Sequence, residues 1–441
     1  MNRYEHDFTI PILGPRKIPS PVHLSKHTGD MMANYVTDDD MVIFDIHAHP
    51  GEKCVYTEKH LIECAGPRER IFFDPDKVHA AVVTCGGLCP GLNDVIRAVV
   101  MALWYQYGVR RVSGVRFGYR GFLPEFNLPL MSLKPDTVSS IHSKGGSILG
   151  SSRGKGERTV EIVDRLEAES INMLFTIGGD GTQRGTLQLA EEVERRGLNI
   201  AVVGIPKTID NDLSFISKSF GFETAVSEAV KAVTRAHVEA DAAINGVGLV
   251  KLMGREAGFI AAYTALGSRD VNFVLVPELP FDLEGDNGLL ANLERRLKAR
   301  GHAVIVVAEG AGQEHLEAAS TEYDASGNKK LGDIGLFLKD RLKAYFDAKK
   351  FEVNLRYIDP SYIIRATRAN PIDSIYCARL GTAAVHAAMA GKTKMLISQV
   401  NDTFVHIPTE LATSKRNCID PQGALWRIVI EATGQPYIMR N

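Results

Sequence analysis

The chain lacks the features of a secreted, membrane-spanning or nucleic-acid-binding protein. It has only six cysteines in 441 residues, and no more than two of them, Cys85 and Cys89, lie close together, which favours reduced thiols over a disulfide framework. No apolar run approaches the length of a membrane span, and residues 1–7 lack the apolar core of a secretory signal. The formal net charge of −2 gives no reason to expect nucleic acid or an anionic membrane as a partner. We therefore expect a cytoplasmic protein.

Common cofactor fingerprints are also incomplete. Gly391-Lys392-Thr393 has the ending of a P-loop, but His386 stands where the first glycine is needed. The pair His47 and His49 resembles one edge of a metal-dependent hydrolase centre, but no later residues supply the remaining ligands in order, so an ordinary polar turn is favoured.

From Val78 onward, short apolar runs alternate with amphipathic helical patterns. This alternation predicts an α/β fold with parallel sheets and crossover helices. Residues 1–77 have weak periodicity, and we interpret them as an extension that wraps a neighbouring domain or subunit.

The stretch 172–212 contains two apolar runs that each end in a loop with carboxylates. The first loop is Gly178-Gly179-Asp180-Gly181-Thr182, and the second ends in Thr208-Ile209-Asp210-Asn211-Asp212. Ligands of open α/β sheets bind outside the carboxyl ends of strands, so the two loops should face one crevice. The glycines allow N–H groups to approach an anion, and Asp180 can hold a divalent cation that a polyphosphate also binds. The pattern indicates phosphoryl chemistry.

The second loop supplies the other parts that phosphoryl transfer requires. Asp210 and Asp212 offer one carboxylate to accept a hydroxyl proton and another to support metal or water, and Lys207 offers a cation. Taken alone, the two aspartates are equally typical of turn or capping residues. The first loop alone also occurs in dinucleotide and lipid kinases.

Two further loops suit phosphate. Gly86 and Gly87 follow an apolar run and precede a helical pattern, so free N–H groups lie at a helix N-terminus. Arg153 and Lys155 stand among glycines and serines in residues 145–156. A tight turn and a pair of solvated cations are the plainer interpretations of these two loops.

The following 160 residues predict a second α/β lobe with its own anion-binding residues. We expect Met253-Gly254-Arg255 to open a helix whose first turn carries Arg255, and an arginine there favours a bound anion. Glu309 ends an apolar run, where it suits sugar hydroxyls or a simple cap. Arg365 and Arg368 lie near one loop and suit a phosphate monoester.

In this order and spacing, the motifs resemble those of the phosphofructokinases. The resemblance covers roughly Val78 to Gly391 and rests on the motifs Gly86-Gly87, Gly178–Thr182, Pro206–Asp212, Met253–Arg255, Ala308–Gly310 and Tyr362–Arg365. The N-terminal extension is similar to that of the branch whose sequences are close to pyrophosphate-dependent enzymes but which uses ATP. A dinucleotide or lipid kinase would leave the last three motifs unexplained.

The resemblance implies two Rossmann-like three-layer lobes with parallel sheets and the site between them. It implies an N-terminal extension at 1–77, a nucleotide-binding lobe at 78–215 with a returning segment at about 376–400, a sugar-phosphate-binding lobe at 216–375, and a C-terminal segment at 401–441 packing on the lobes. The implied reaction transfers a phosphoryl group from ATP to the 1-hydroxyl of fructose 6-phosphate with Mg²⁺. The usual assembly is a homotetramer, with a homodimer as the alternative.

The resemblance also implies roles for individual residues. The residues implied to bind the nucleotide phosphates are Gly87, Arg153, Gly154, Gly179, Asp180, Gly181 and Thr182, with Asp180 on Mg²⁺. The residues implied to bind fructose 6-phosphate are Thr208, Asp210, Met253, Gly254, Arg255, Glu309, Tyr362 and Arg365. Those implied to act in catalysis are Asp210 as the base, Arg255 and Lys207.

Three positions bear on the donor and on the assembly. Pyrophosphate users commonly have an aspartate at the position of Gly181, where it would collide with the α-phosphate of ATP, so the glycine favours ATP. Lys207 resembles the pyrophosphate users, which keeps that donor open as the alternative. Gly246 replaces an arginine that many bacterial members donate across a subunit interface. A regulatory homologue without turnover is disfavoured because Asp180, Asp210 and Arg255 are all present.

Overall fold

A computed structural model describes residues 6–44, 58–316 and 330–441. The strands in these ranges are β1 Ile18–Pro19, β2 Met41–Ile43, β3 Leu61–Glu63, β4 Arg70–Ile71, β5 His79–Thr84, β6 Arg111–Val115, β7 Met131–Ser132, β8 Met173–Gly178, β9 Ala201–Pro206, β10 Gly246–Leu252, β11 Phe273–Leu275, β12 His302–Ala308, β13 Asn354–Ile358, β14 Met395–Val400 and β15 Thr403–Pro408.

The α-helices in the same ranges are α1 Leu92–Met101, α2 Pro135–Val138, α3 Thr159–Ala168, α4 Asp180–Arg195, α5 Phe222–Asp241, α6 Phe259–Ser268, α7 Leu289–Arg300, α8 Ile334–Ala348, α9 Ser361–Ala366, α10 Pro371–Met389, α11 Thr409–Ala412 and α12 Ala424–Thr433. Within the described part of the chain, none of these combines the length and apolar character that crossing a membrane requires.

Contacts divide the chain into two compact units. The first comprises Met1–Thr208, Leu213–Gly221 and Thr367–Arg416, and the second comprises Ile209–Asp212, Phe222–Ala366 and Asn417–Asn441. The domain boundaries predicted from the sequence stay a prediction.

The first unit is built on a seven-stranded sheet with the order β15-β14-β9-β8-β5-β6-β7. Its five inner strands are parallel, and β15 and β7 are antiparallel strands at the two edges. Every residue of β5, β8 and β9 is buried. Strands covered by helices on both faces are expected to be apolar throughout rather than alternating, which explains the continuous apolar runs in this part of the sequence.

The second unit contains a four-stranded parallel sheet with the order β11-β12-β10-β13. Strands β10 and β12 run in full register from Gly246 opposite His302 to Leu252 opposite Ala308. The loops that follow these two strands therefore begin side by side. The two parallel-dominated sheets with crossover helices confirm the predicted α/β fold class.

The described part of the N-terminal extension packs within the first unit. Ile12 forms an antiparallel bridge with Lys392, and Cys64 forms another with Val405. Glu63 lies beside Lys392, with a Nζ–Oε1 distance of 2.5 Å, and also pairs with Arg68. Residues 45–57, which include the His47 and His49 pair, lie outside the described residues.

Candidate active site

Lys207 joins the predicted phosphate loops of the first unit. Its Nζ donates to the carbonyl oxygen of Gly87 at 2.6 Å, and its backbone N–H donates to the carbonyl oxygen of Gly178 at 2.9 Å. The side chain is only 6% exposed. A Cβ added to Gly86 would lie 3.1 Å from this ammonium group. The glycine turn after β5 and the loop after β9 are therefore fixed to each other by one cation.

The loop containing Arg153 is held against the same glycine turn. Gly86 donates its N–H to the Ser152 carbonyl oxygen at 2.9 Å, and Ser151 donates its hydroxyl to the Gly86 carbonyl oxygen at 2.6 Å. A Cβ on Gly87 would meet the Arg153 guanidinium at 3.8 Å. Gly154 has a φ of 75°, a conformation that favours glycine. The structure thus brings Gly87, Arg153 and Lys207 together as predicted neighbours.

Helix α4 begins at Asp180, directly after Gly179. A Cβ on Gly178 would lie 2.2 Å from the Thr182 hydroxyl oxygen, so this position has no room for a side chain. Tyr119 donates its hydroxyl to the Thr182 carbonyl oxygen at 3.0 Å and thereby stabilises the first turn of α4. The N-terminus of a helix presents unpaired N–H groups and a partial positive charge, which suits an anionic phosphate.

Asp180 lies between two arginines of the same unit. Its Oδ2 is 2.9 Å from Arg184, one helical turn later, and 3.7 Å from Arg416. Its side chain is 15% exposed. In the described ranges, no cluster of three or more His, Cys, Asp or Glu side chains could enclose a metal by itself. One accessible carboxylate is nevertheless what a Mg²⁺ ion needs when substrate phosphates supply further ligands.

Gly181 is exposed, and a Cβ built on it would meet no atom within 4 Å. The protein itself therefore sets no steric requirement for glycine at this position.

The loop 208–212 lies at the boundary between the assigned units. Thr208 is 9% exposed and its carbonyl oxygen accepts the Ser219 hydroxyl. Asn211 has a φ of 57°, and the Asp212 carbonyl oxygen accepts the N–H of Asn417 at 2.8 Å. Asp210, the predicted base, is only partly buried. Contacts assign Asp210 to the second unit and Thr208 to the first.

In the second unit, the loops after β10 and β12 are in direct contact. Glu309 donates its N–H to the Leu252 carbonyl oxygen at 2.9 Å, and Gly310 donates its N–H to Gly254 at 3.0 Å. A Cβ on Gly310 would lie 1.8 Å from the Arg255 carbonyl oxygen. Met253, Gly254 and Arg255 are therefore brought next to Glu309 through backbone contacts.

The expected helix start at Arg255 is wrong. Helix α6 begins at Phe259, and Arg255 lies in the loop before it. Gly254 has a φ of 127°, which is outside the helical region, and its carbonyl oxygen is used by Gly310 instead of a helical partner. The loop is longer than the sequence pattern predicted because the neighbouring strand's loop takes part in its hydrogen bonding.

Glu309 and Arg365 interact electrostatically in this unit. Burial raises the pKa of Glu309, while the charges of Arg255, Lys251 and Arg365 act in the opposite direction. Arg365 lies on α9 with its guanidinium 4.6 Å from the centre of the Tyr362 ring, and Tyr362 itself is 76% exposed. Arg368 follows α9 and is assigned to the first unit. The structure therefore groups Arg255, Glu309 and Arg365, with Tyr362 beside them.

The sequence analysis missed several charged neighbours of these residues. Arg184 could have been found, because residues four apart on a helix meet. Arg416 gives no such signal, since only the fold brings it to Asp180. An ion cluster near the start of α9 consists of Lys251, Asp333 and Asp359. These residues are far apart along the chain, so no sequence motif predicts the cluster.

A family model described as phosphofructokinase matches residues 79–388 of the chain. The chain belongs to the phosphofructokinase family. Among this family's curated members, an ATP-dependent 6-phosphofructokinase of Borreliella burgdorferi is 55% identical over 99% of this chain and 98% of its own length. An ATP-dependent 6-phosphofructokinase of Amycolatopsis methanolica is 46% identical over 99% of this chain and 96% of its own length.

Solved structures with the phosphofructokinase fold are also similar. A pyrophosphate-dependent phosphofructokinase from Marinobacter aquaeolei matches with a TM-score of 0.65 and 22% identity, over 82% of this chain and 91% of that chain. The Pichia pastoris phosphofructokinase in the T-state matches with a TM-score of 0.63 and 21% identity, over 82% of this chain and 37% of that chain. These matches identify the fold.

Proposed function

We propose that the protein is an ATP-dependent 6-phosphofructokinase of glycolysis. It transfers the γ-phosphoryl group of ATP to the 1-hydroxyl of fructose 6-phosphate and releases fructose 1,6-bisphosphate and ADP. The observation that carries this proposal is the 55% identity, over nearly the full length of both chains, to the ATP-dependent 6-phosphofructokinase of Borreliella burgdorferi. The charged and glycine-rich loops of each unit support it from the chemistry of their residues.

The open space at Gly181 supports ATP as the donor. No protein atom lies within 4 Å of a Cβ at this position, so an aspartate side chain could be accommodated. It would project outward from the first turn of α4. A side chain and a negative charge would then oppose the α-phosphate of ATP, which pyrophosphate does not have. Glycine leaves that space to the nucleotide.

In the proposed mechanism, the oxygen of the sugar 1-hydroxyl attacks the γ-phosphorus atom of ATP, and Asp210 accepts the proton of that hydroxyl. Lys207 and Arg153 lie beside the Gly87 turn, where their positive charges stabilise the charge on the transferred group and on the leaving ADP. Gly179, Thr182 and Gly154 belong to the loops that surround the nucleotide phosphates.

Asp180 is the residue that would hold Mg²⁺, because it offers one accessible carboxylate at the start of α4. The ion, when bound with ATP, neutralises charge on the phosphate oxygens. Arg184 and Arg416 lie beside the same carboxylate.

We assign fructose 6-phosphate to the residues of the second unit. Arg365 and Arg255 would bind its phosphate, since planar guanidinium groups bind phosphate oxygens in pairs. Glu309 would accept hydrogen bonds from sugar hydroxyls. The further residues that contact the substrate in this proposal are Thr208, Met253, Gly254 and Tyr362.

A cytoplasmic homotetramer is the assembly we propose, with a homodimer as the alternative. A Cβ on Gly246 would lie 2.0 Å from the Ala240 carbonyl oxygen, so this chain has no room for the arginine that many bacterial members carry there. A cross-subunit contact of that kind is absent from the proposed assembly. Sedimentation at several protein concentrations measures the oligomer size.

The donor assay tests the proposed function. Purified protein is given fructose 6-phosphate and Mg²⁺ with ATP or with pyrophosphate, and formation of fructose 1,6-bisphosphate is measured. We expect turnover with ATP to exceed turnover with pyrophosphate by about 100-fold or more, the size of a discrimination in which an unfavourable contact opposes one ligand. Activity with pyrophosphate alone would overturn the choice of ATP.

Pyrophosphate remains the second candidate donor because of Lys207. Its ammonium group is held at the Gly87 turn, where it can neutralise a phosphate of either donor. The same assay decides between the two.

Asp210→Ser tests the proposed base. We expect kcat to fall about 10²–10⁴-fold, since this is the usual contribution of general base catalysis, while ATP binding measured by calorimetry changes little. Asp286→Ser, at an exposed site far along the chain, is the control and should keep full activity. A near-normal kcat in Asp210→Ser would remove Asp210 from the mechanism.

A further inference from the structure

Lys251 is a partly buried cation held between two carboxylates of the second unit. It is the penultimate residue of β10, and its side chain is 12% exposed. Its Nζ is 2.9 Å from Asp359 and 3.0 Å from Asp333. Although burial lowers the pKa of Lys251, its hydrogen bonds with Asp359 and Asp333 raise it further, so the ammonium form is the one in the cluster.

Each of the two carboxylates accepts a hydrogen bond at the N-terminus of a helix. Asp333 is the N-cap of α8 and accepts the N–H of Leu336 at 3.1 Å. Asp359 accepts the N–H of Ser361 at 3.1 Å and its hydroxyl at 2.6 Å, at the first residue of α9. Lys251 therefore connects the end of a central strand to the starting points of two helices.

Helix α9 is short and carries two of the residues assigned to the sugar phosphate. It spans Ser361–Ala366, and its residues Tyr362 and Ile363 are 76% and 68% exposed. Ile364 is the buried residue of this six-residue helix, so its orientation depends on that one side chain and on the contacts at the helix ends. The Asp359 anchor at its first turn is consequently important for where Arg365 lies.

The same cluster acts on Glu309. The charges of Lys251 and Arg365 lower the pKa of the Glu309 carboxyl group, and the charge of Asp359 raises it. Lys251 is thus close to the proposed substrate residues, while its own ammonium group is engaged with Asp333 and Asp359.

We propose that Lys251 is a positioning residue for fructose 6-phosphate, which it serves by fixing α9 through Asp359. This inference rests on the proposed function, since it deepens the assignment of the same substrate site. Lys251 acts through α9 and does not itself touch the substrate. Its loss should weaken fructose 6-phosphate binding and leave the nucleotide site and the chemical step nearly unchanged.

Steady-state kinetics of Lys251→Met test the inference. We expect the KM for fructose 6-phosphate to rise about 10- to 100-fold, the scale of a small misplacement of a binding group, with kcat and the KM for ATP changed less than about threefold. Lys251→Arg, which keeps the charge, should recover part of the affinity. Lys231→Met removes an exposed lysine paired with Glu228 and should behave as wild type.

Asp359→Asn separates positioning from direct contact. Asparagine keeps the acceptor for Ser361 but loses the charge that pairs with Lys251, so we expect the same selective rise in the KM for fructose 6-phosphate. An unchanged KM in Lys251→Met overturns the proposal. A rise in Lys251→Met that Asp359→Asn does not share also overturns it, because Lys251 would then not act through Asp359 and α9.

Two further measurements keep the test decisive. If Lys251→Met does not fold, as judged by its thermal unfolding, Asp359→Asn alone decides, and an unchanged KM there overturns the proposal. Wild-type protein without turnover on either donor would overturn the proposed function instead. In that case calorimetric titration with fructose 6-phosphate still tests the inference, and equal affinity of wild type and Lys251→Met would contradict it.

Discussion

At the scale of single residues, Lys207 is a buried charged group that connects two loops of the first unit. Its backbone N–H donates to the carbonyl oxygen of Gly178 and its ammonium group donates to that of Gly87, so it connects both loops. Shortening it to alanine would leave the partly buried Gly87 carbonyl oxygen without its charged donor and remove a positive charge from the proposed phosphate site. In the proposed mechanism, binding and orientation of the phosphoryl donor depend on this side chain.

Gly181→Asp is the sharpest test of donor choice at one residue. We expect kcat/KM for ATP to fall about 100-fold or more from the added charge and volume, with the melting temperature nearly unchanged, because a Cβ there meets no atom within 4 Å and an acidic residue suits a helix N-terminus.

Gln188→Asp places the same side chain at an exposed position two turns later on α4 and serves as the control. Equal loss of ATP activity in both variants would mean that position 181 has no special relation to the donor.

Residues close in sequence were predictable, and residues joined only by the fold were not. Gly178–Thr182 and Lys207 carry their chemistry in local motifs, and Arg184 follows Asp180 by one helical turn. The contact of Arg416 with Asp180 and the pairs made by Lys251 depend on strand order and register. No local pattern encodes such contacts.

At the scale of structural elements, the matched ends of β10 and β12 bring together the loops proposed to bind the sugar phosphate. Their register places Leu252 opposite Ala308, so the N–H of Gly310 can donate to the carbonyl oxygen of Gly254. The sequence predicted the end of β12, because its apolar run stops directly before Glu309. It could not predict that the loop after β10 delays the start of α6 to Phe259, because that loop bonds to another loop.

Gly310→Ala should displace the Arg255 loop. An added Cβ would lie 1.8 Å from the Arg255 carbonyl oxygen, and backbone cannot yield as a side chain does. We expect a loss of about 1–3 kcal/mol in the free energy of unfolding and a raised KM for fructose 6-phosphate.

Gly181→Ala adds the same methyl group in open space and should not lower the stability by a comparable amount. Urea unfolding and steady-state kinetics measure both effects. Unchanged stability of Gly310→Ala would show that the two loops are free to separate.

The contact between the extension and the β14–β15 pair predicts acid sensitivity. Fully buried His406 has its Nδ1 3.5 Å from Glu63, which also pairs with Lys392 and Arg68. Burial, together with the charges of Lys392 and Arg68, lowers the pKa of His406 to about 4 against the opposing effect of Glu63. The unfolded chain therefore takes up this proton first, and stability falls as the pH drops from about 6.5 towards 4.

His406→Gln should remove about 2 kcal/mol of the stability loss between pH 7 and pH 5, the value that linkage gives for such a pKa difference. Urea unfolding at both pH values measures it. His23→Gln, at an exposed position, should keep the wild-type loss. A His406→Gln variant with the wild-type pH dependence would mean that His406 does not take up a proton on unfolding.

At the scale of the whole molecule, the two compact units carry different sets of predicted ligand residues. Gly87, Arg153 and Gly179–Thr182 belong to the first, and Arg255, Glu309 and α9 belong to the second. The alternation of apolar runs and helical patterns made the α/β class predictable. The unit boundaries are harder to predict, because each unit is assembled from three separate segments.

Hydrogen exchange should separate the two ligands. With ATP and Mg²⁺ at 100 times Kd, amides around Gly87 and Gly179–Thr182 that exchange only from the free form should slow about 100-fold. With fructose 6-phosphate alone, the larger effect should fall on residues 253–255, 309–310 and α9. Identical protection patterns for both ligands would contradict the assignment of separate residue sets.

The position of β14 has a consequence for the synthesis of the chain. This strand pairs with β9 inside the seven-stranded sheet, and Pro11 and Leu13 bond to residues 391–393 just before it. The first unit therefore cannot complete its sheet until the ribosome has released residues beyond 408, and its earlier strands wait with an open edge. The second unit is also completed late, because Met439 belongs to its buried core and Gln435 bonds to Val274 of β11.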